Sequence, residues 1–349
     1  MQLEIVSKID NEPRRYLFDC MTGESVHAAA ERASIRLPLS CKNGVCHICR
    51  ANLLSGTVQS GNQRQLVKAE LKGAEGGLGT EIMLCKTWPE TSCVFEVRNI
   101  YGPGELPVKT IACQVLKVEV IKGHVYQVDL QLPAGKIPEH FAGQYLALNL
   151  AEREEPAFFS IASRPGLRTI TLHIQADPHL ESAREVIHML SSSLADKTVV
   201  SVNLPFGEAC LVKAPEKPLI LMAAGTGFAQ MKSIIEHLLS LDYSHPIALY
   251  WGVRKQEDMY LQGLAQDWSD LHENFQFKPL IADIENIKDN AHHNQLSDAV
   301  LEAHPELENS MVFVSGSPKL VFSAMDALTE AGLPETQFYS DVLAYASRD

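Results

Sequence analysis

The sequence predicts a multi-domain protein of α+β and α/β class. This prediction rests on the length of the chain and on two changes in the pattern of its strand-like and helical segments. The 349 residues, 46% of them hydrophobic, are enough for two or three domains with their own cores. Between residues 108 and 213, short strand-like runs are separated by turn residues, which is typical of an antiparallel β-barrel. From Pro218 onward, strand-like and helical segments alternate, which predicts a doubly wound parallel α/β sheet.

The first hundred residues combine strands with one short helix. LEIVSKI and RRYLFDC have the pattern of a hairpin, and SVHAAAERAS that of a helix with Ser25 as its N-cap. Helical spacing places Val26, Ala29, Ala30 and Ala33 on one face. The Gly- and Pro-rich stretch NIYGPGELP, residues 99–107, predicts a linker. The predicted domains are therefore 1–98, 108–213 and 214–349.

Two later segments have strong helical periodicity. Within the barrel region, residues 181–194 interrupt the strands with a helical pattern. After the strand-like PLILMAAG, the run GFAQMKSIIEHLLSL places its apolar residues at helical spacing. DMYLQGLAQDW is predicted to be helical as well.

Charge and hydropathy exclude several classes of protein. The net charge of -13 argues against a nucleic-acid partner. The sequence has no apolar run of about 18 residues, which a membrane span would need. The beginning, MQLEIVSKID, lacks the pattern of a secretory signal. A cytoplasmic protein is the expectation.

The cysteine spacing is the strongest motif. Cys41, Cys46 and Cys49 are separated by four and two residues, and Cys85 follows much later. Four thiolates at this spacing are what a plant-type [2Fe–2S] cluster needs, whereas zinc ribbons favour two Cys-x2-Cys pairs. Gly44 would let the loop turn so that backbone N–H groups point at sulfur. The pattern favours the cluster, and the remaining cysteines are predicted to be small buried apolar residues: Cys20, Cys93, Cys113 and Cys210.

The run ESVHAAAERASIRLPLSCKNGVCHICRANLLSGTV resembles the cluster-binding stretch of plant-type ferredoxin domains. The resemblance implies a β-grasp domain with Cys41, Cys46, Cys49 and Cys85 as the cluster ligands. His47 stands where that family usually has Gly, and we interpret it as a surface side chain rather than a group that alters the cluster.

The chain after the linker resembles the ferredoxin-NADP reductase superfamily, in particular oxygenase reductases, CDP-6-deoxyglucoseen reductases and bacterial NAD(P)H-flavin reductases. FFSIAS, which contains Phe158, Phe159 and Ser160, matches a motif whose aromatic ring and Ser contact flavin. The family's Arg is replaced by Ala157, and its second phosphate motif is not evident. The LHI segment, Leu172, His173 and Ile174, matches the strand that follows the flavin tail.

AAGTGFAQMKS resembles the family's loop for the nicotinamide pyrophosphate and lies between a predicted strand and helix. VSGSP resembles the segment near the nicotinamide, with Ser315 in place of Cys. Gln230 stands where the family commonly has Pro. The residues that the resemblance assigns to the nicotinamide cofactor are Gly225, Thr226, Gly227, Gly316, Ser317 and Pro318.

The implied function is electron transfer from NAD(P)H through FAD to the cluster and on to an oxygenase, hydroxylase or dehydratase. Ser160 is the expected catalytic residue, and Ala157 predicts loosely bound FAD, unless Arg153 or Arg168 compensates. A flavin reductase with an accessory ferredoxin domain, and a ferredoxin carrier with a degenerate reductase module, are the alternatives. Apart from Arg254 and Lys255, no cluster of basic residues that could bind a 2′-phosphate is evident, and this favours NADH over NADPH.

Overall fold

The computed structural model describes residues 1–9, 12–38, 41–69, 79–97, 100–102, 105–135, 137–281 and 291–348. The chain forms two compact units, Met1–Glu105 and Leu106–Asp349. The division lies inside the predicted linker, residues 99–107, of which 99, 103 and 104 lie outside the described residues. None of the helices in the described part of the chain has both the length and the apolar character to cross a membrane.

A mixed sheet with one helix against it forms the first unit, as in a β-grasp fold. Its elements are β1 (Gln2–Ile9), β2 (Glu12–Asp19), α1 (Val26–Arg32), β3 (Arg50–Ser60), β4 (Gln65–Ala69), β5 (Thr80–Met83), β6 (Thr87–Pro89) and β7 (Cys93–Glu96). The strand order is β2-β1-β7-β3-β4, with β5 and β6 also paired to β3. The predicted hairpin of β1 and β2 is confirmed, and β1 also pairs in parallel with β7.

Helix α1 begins as its sequence predicts. The Ser25 hydroxyl accepts a hydrogen bond of 3.2 Å from the N–H of Ala28, which satisfies one of the free donors of the first turn. Val26, Ala29 and Ala30 are buried in the core of this unit. The helix thereby covers the sheet and leads directly into the cysteine loop.

The second unit begins with an antiparallel barrel. Its elements are β8 (Lys109–Lys122), β9 (Val125–Gln131), β10 (Tyr145–Asn149), β11 (Ala157–Ser160), β12 (Thr169–Gln175), α2 (Glu181–Asp196) and β13 (Val199–Phe206). The strand order is β11-β10-β13-β8-β9-β12, and a bridge between Ile161 and Leu172 joins the two end strands. This bridge brings Ser160, at the end of β11, beside His173 on β12. The predicted barrel and its helix are confirmed.

A five-stranded parallel sheet completes the second unit. Its elements are β14 (Leu219–Ala224), α3 (Phe228–Leu239), β15 (Ile247–Val253), α4 (Gln262–Leu271), β16 (Phe275–Ile281), α5 (Ala291–Ala303), β17 (Met311–Ser315), α6 (Pro318–Glu330), β18 (Phe338–Tyr339) and α7 (Val342–Tyr345). The order β16-β15-β14-β17-β18 is that of a doubly wound sheet. Buried residues of α3 pack on one face, and those of α5 and α6 on the other.

One predicted element begins later than expected. The sequence DMYLQGLAQDW was predicted to be helical throughout, but α4 begins only at Gln262. Met259 and Tyr260 are buried in the core instead, and Met259 has a non-helical backbone with ψ 75°. Their burial overrides the local helical preference.

Candidate functional site

The cysteines of the spacing motif approach one another in the first unit. Cys41, Cys46 and Cys49 lie between α1 and β3, whereas Cys85 lies in a short 3-10 helix after β5. The Sγ atoms of Cys49 and Cys85 are 3.2 Å apart. The N–H of Cys46 donates a hydrogen bond of 3.3 Å to the sulfur of Cys41. Cys49 and Cys85 are buried, whereas Cys46 is exposed.

Backbone N–H groups point at the motif's sulfur atoms. Those of Asn43 and Cys46 lower the pKa of the Cys41 thiol to about 6. Burial, and secondarily the Cys49 thiol, raise the pKa of Cys85 to about 11, although the N–H of Gly44 also donates to its sulfur. Gly44 has a φ of +85°, a value that glycine adopts readily, so the loop turns as the sequence predicted. Hydrogen bonds of this kind to sulfur help to set a cluster's reduction potential.

The arrangement of these thiols fits a two-iron cluster. A [2Fe–2S] cluster distributes four thiolates over two irons, whereas a structural zinc site gathers four ligands around one ion. The thiols of Cys49 and Cys85 are in direct contact, whereas the Cys41 sulfur accepts a hydrogen bond from the backbone of Cys46.

His47 has the backbone conformation of a glycine. Its φ is +58°, which costs a residue with a side chain about 1–2 kcal/mol. This explains in physical terms why glycine suits this position. The imidazole is exposed, as predicted, and its Nδ1 lies 3.3 Å from the Arg50 guanidinium.

A cavity of about 700 Å³ lies within the second unit, between the barrel and the parallel sheet. Barrel strands β11 and β12 form one wall, and the loops that follow β14, β15 and β17 form the other. In open parallel sheets, ligands bind at the carboxyl ends of the strands, where the strand order reverses. The volume is in the range of small-molecule sites, roughly 300–1,000 Å³.

Strand β11 places the predicted flavin residues in this cavity. Phe158, Phe159 and Ser160 all line it. Phe159 is half-buried and packs on the barrel core, whereas 58% of Phe158 is exposed. The hydroxyl of Ser160 has no hydrogen-bond partner in the part of the chain that the structure describes. It is therefore available to a ligand.

Strand β12 presents alternate residues to the cavity. Leu172 and Ile174 are fully buried in the barrel core, so only their backbone could reach a ligand. His173 and Gln175 point the other way and line the cavity. Gln175 was not among the predicted site residues. The two-residue period of a strand, applied from His173, would have found it.

Two glycines shape the loop after β14 for different reasons. Gly225 has a φ of +54°. Gly227 has an ordinary φ, but a Cβ added there would lie 2.4 Å from the carbonyl oxygen of Ser315. Gly227 is therefore needed for close packing against the end of β17. The indole N–H of Trp251 donates a hydrogen bond of 3.0 Å to the Gly225 carbonyl and thereby anchors the loop. With Thr226 also at the cavity, this backbone suits a pyrophosphate.

The segment after β17 forms the neighbouring part of the wall. Gly316 and Ser317 line the cavity, whereas Pro318, the first residue of α6, is exposed and does not. The Ser317 hydroxyl caps α6 by accepting a hydrogen bond of 3.4 Å from the N–H of Leu320. A Cβ at Gly316 would lie 3.0 Å from that of Ala224, so glycine keeps the two strand ends close.

A second cavity, of about 560 Å³, shares Phe158, Phe159 and Ser160 with the first. Asp341 and Tyr345, near the end of the chain, line it together with Tyr145. None of these three was among the predicted site residues. Asp341 and Tyr345 lie far from Ser160 along the chain, whereas Tyr145 is on β10, the strand that pairs with β11.

Asp341 is a partly buried carboxylate that joins three segments. It accepts hydrogen bonds from the backbone N–H groups of Glu208 and Ala209, at 2.9 and 3.0 Å, and from the Gln230 side chain at 3.3 Å. Burial raises the pKa of Asp341 above its ordinary value, although these donors oppose the shift. Gln230 also donates to the Ala209 carbonyl at 3.0 Å, a contact that the proline expected from the resemblance could not make.

Neither arginine that could replace the one missing at Ala157 lines either cavity. Arg153 is held by α2, with its Nη1 3.1 Å from the Ser182 hydroxyl and 3.5 Å from Glu185. Arg168 is exposed. The positive side chains that do line the larger cavity are Lys122 and Arg254.

Comparison with known proteins identifies two matching domain families. Residues 9–90 match the 2Fe-2S iron-sulfur cluster binding domain, and residues 221–326 match the oxidoreductase NAD-binding domain. Terephthalate 1,2-dioxygenase, reductase component 1, of Comamonas sp is 30% identical over 328 residues, 94% of each chain. The CDP-6-deoxy-L-threo-D-glycero-4-hexulose-3-dehydrase reductase of Yersinia pestis is 26% identical and covers 94% of this chain and 96% of its own. The NAD(P)H-flavin reductase of Vibrio harveyi is 29% identical over 68% of this chain and 99% of its own.

The first of these relatives is similar over nearly its whole length, and the two domain matches cover the cysteine loop and the glycine loop. The resemblance to oxygenase reductases, deoxysugar reductases and flavin reductases is thereby confirmed. This chain belongs to the family of NAD(P)H-dependent electron-transfer reductases that join a [2Fe–2S] ferredoxin domain to a flavin- and nicotinamide-binding oxidoreductase module.

Proposed function

We propose that this reductase supplies electrons to a terminal oxygenase, with Cys41, Cys46, Cys49 and Cys85 as cluster ligands and Ser160 as the catalytic residue. The observation that carries the assignment is the cavity of about 700 Å³. In it, Ser160 on the barrel faces the glycine loop and Gly316 of the parallel sheet. A donor and a flavin bound to these two walls would meet inside one cavity.

A bound flavin would supply the conversion between the two-electron hydride chemistry of NAD(P)H and the one-electron chemistry of a [2Fe–2S] cluster. The chain's own residues have separate tasks. The backbone N–H groups of Gly225 to Gly227 bind the pyrophosphate of the nicotinamide cofactor. The free hydroxyl of Ser160 donates a hydrogen bond to the flavin. The four thiolates hold the irons.

An oxygenase is the favoured acceptor because a relative that is 30% identical over 94% of this chain is the reductase component of a terephthalate dioxygenase. NADH is the favoured donor because the sequence has no cluster of basic residues for a 2′-phosphate: of Arg254 and Lys255, only Arg254 lines the cavity. Lys255 lies 3.9 Å from Glu257, which further reduces its availability to a 2′-phosphate.

The test is a comparison of acceptors with the purified, FAD-loaded protein. With NADH as donor, we expect rapid reduction of cytochrome c, a one-electron acceptor, and turnover when a terminal dioxygenase is added with its substrate. Free FAD should be reduced more slowly than cytochrome c. Fast reduction of free FAD with no electron delivery to cytochrome c would contradict the proposal.

Flavin reductase activity is the second candidate, and one observation favours it. Ala157 cannot bind a flavin phosphate, and neither Arg153 nor Arg168 lines the cavity to replace the missing arginine. A protein that releases its flavin easily can use it as a substrate. The similarity to the Vibrio harveyi enzyme is in keeping with this reading.

Loose flavin binding leads to a direct prediction. Ala157→Arg should tighten FAD binding by roughly ten- to a hundredfold, since a charge-assisted hydrogen bond contributes about 1.5–3 kcal/mol. Isothermal titration of flavin-stripped protein measures the change. Ala157→Gln, of similar reach but no charge, is the matched control and should gain much less. A nanomolar dissociation constant for the unmodified chain, unchanged by arginine, would contradict the prediction.

A further inference from the structure

The imidazole of His173 is held by a single hydrogen bond across the larger cavity. Its Nδ1 lies 3.0 Å from the hydroxyl of Tyr260, which belongs to the segment between β15 and α4. Both residues are buried, and their rings meet edge to face with centroids 5.2 Å apart. This bond joins the flavin-side strand β12 to the other wall of the cavity.

Tyr260 is itself fixed by an aromatic stack beneath the glycine loop. Its ring packs edge-on against Trp251 and Phe228, with centroids 5.2 and 5.9 Å apart, and these two rings stack on each other at 3.9 Å. Trp251 in turn supports the Gly225 carbonyl. The hydroxyl of Tyr260 therefore has little freedom to move away from His173.

The direction of the hydrogen bond follows from the surroundings of Tyr260. Burial raises the pKa of its hydroxyl well above the ordinary value, so the proton stays in place. Within the described residues, His173 Nδ1 is the only acceptor that this hydroxyl has. If Nδ1 carried the proton instead, the buried O–H would have no acceptor, which is unfavourable. Tyr260 therefore donates, and Nδ1 accepts.

The proton of the imidazole must then be on Nε2. Burial lowers the pKa of His173 to about 3, so the ring is neutral at physiological pH and carries one N–H. Nε2 has no hydrogen-bond partner among the described residues. It is not one of the buried side-chain atoms that lack a partner, so it is accessible. It opens onto the cavity that His173 lines.

We propose that His173 binds the flavin, donating a hydrogen bond from Nε2–H, and that Tyr260 is a positioning residue that fixes the imidazole in this tautomer. The flavin is the ligand, rather than the nicotinamide cofactor, because His173 is beside Ser160 in the barrel. The inference rests on the proposed function, in which flavin binds along β11 and β12. It assigns a specific hydrogen bond to the side chain of His173, which the resemblance placed on the strand that follows the flavin tail.

Two substitutions separate a ligand contact from a structural link. The amide nitrogen of Gln reaches the position of Nε2, whereas the amide of Asn reaches that of Nδ1. His173→Gln keeps a donor toward the cavity and loses the bond to Tyr260. His173→Asn keeps a partner for Tyr260 and loses the donor toward the cavity.

The experiment titrates flavin-stripped, full-length variants with FAD by calorimetry and compares their thermal unfolding. We expect His173→Asn to weaken FAD binding about tenfold, as for one lost hydrogen bond, and His173→Gln to stay within about threefold. In the unmodified protein, ¹⁵N NMR of the histidines should show His173 protonated at Nε2. Tyr260→Phe should give a mixture of tautomers.

Three outcomes would overturn the inference. One is equal FAD affinity in His173→Asn and the unmodified chain. Another is the reverse order, in which Asn is tolerated and Gln is not, because His173 would then act only through Tyr260. The third is a loss confined to NAD⁺ affinity. An unmodified protein that binds no FAD at all would instead refute the proposed function.

Discussion

Replacing Cys85 by serine should abolish the iron–sulfur absorption spectrum and the delivery of electrons to one-electron acceptors. Cys85 is buried with its sulfur 3.2 Å from that of Cys49, so its loss removes half of one close pair of ligands. A serine hydroxyl is a much poorer ligand for iron–sulfur clusters than a thiolate. Iron and acid-labile sulfide per chain, with the rate of cytochrome c reduction, measure the result.

Direct reduction of FAD by NADH should survive in the Cys85→Ser protein, because the cavity lies in the other compact unit. Cys93→Ala is the matched control. Cys93 is a buried thiol of the same unit that is outside the motif, and its loss should leave the cluster content unchanged. A full cluster content in Cys85→Ser would remove Cys85 from the ligand set.

The second large effect is expected from Ser160→Ala, which should slow the reduction of bound flavin by NADH about a hundredfold. Removing one well-placed hydrogen-bond donor from a reacting centre typically costs about 10²–10³ in rate. The Ser160 hydroxyl lines both cavities and makes no other hydrogen bond in the described chain, so it is free for this task. Stopped-flow absorbance of the flavin measures the rate.

Ser192→Ala on the exposed surface of α2 is the control and should leave the rate unchanged. The affinity for NADH should also change little in Ser160→Ala, because the glycine loop proposed to bind its pyrophosphate is untouched. Flavin reduction at the unmodified rate would exclude a role for Ser160 at the reacting atoms.

Much of the fold follows from local sequence. The cap at Ser25, the apolar spacing of α3 and the strand–helix alternation after Pro218 each depend on neighbours a few residues away. The start of α4 was wrong because the burial of Met259 and Tyr260, a tertiary effect, outweighs the helical pattern. Such burial cannot be read from spacing alone.

The residues of the candidate site also fall into those that local sequence indicates and those that only the fold brings together. The cysteine spacing and the glycine loop are short motifs, so the sequence indicates them directly. Asp341 and Tyr260 reach the site only because the fold brings distant segments together, at separations of 133 residues from Glu208 and 87 from His173. The reason for Gly227 also needed the structure, since the atom it approaches belongs to Ser315.

The hydrogen bonds of Asp341 have a consequence for folding kinetics. They tie the end of the chain to the turn after β13, 132 and 133 residues earlier, and to α3. Contacts between such distant segments close large loops, which is entropically slow, so they are expected to form late. Interactions that are absent from the folding transition state act mainly on the unfolding rate. We therefore expect the hydrogen bonds of Asp341 to slow the unfolding of the segments around the cavity and to have little effect on the folding rate.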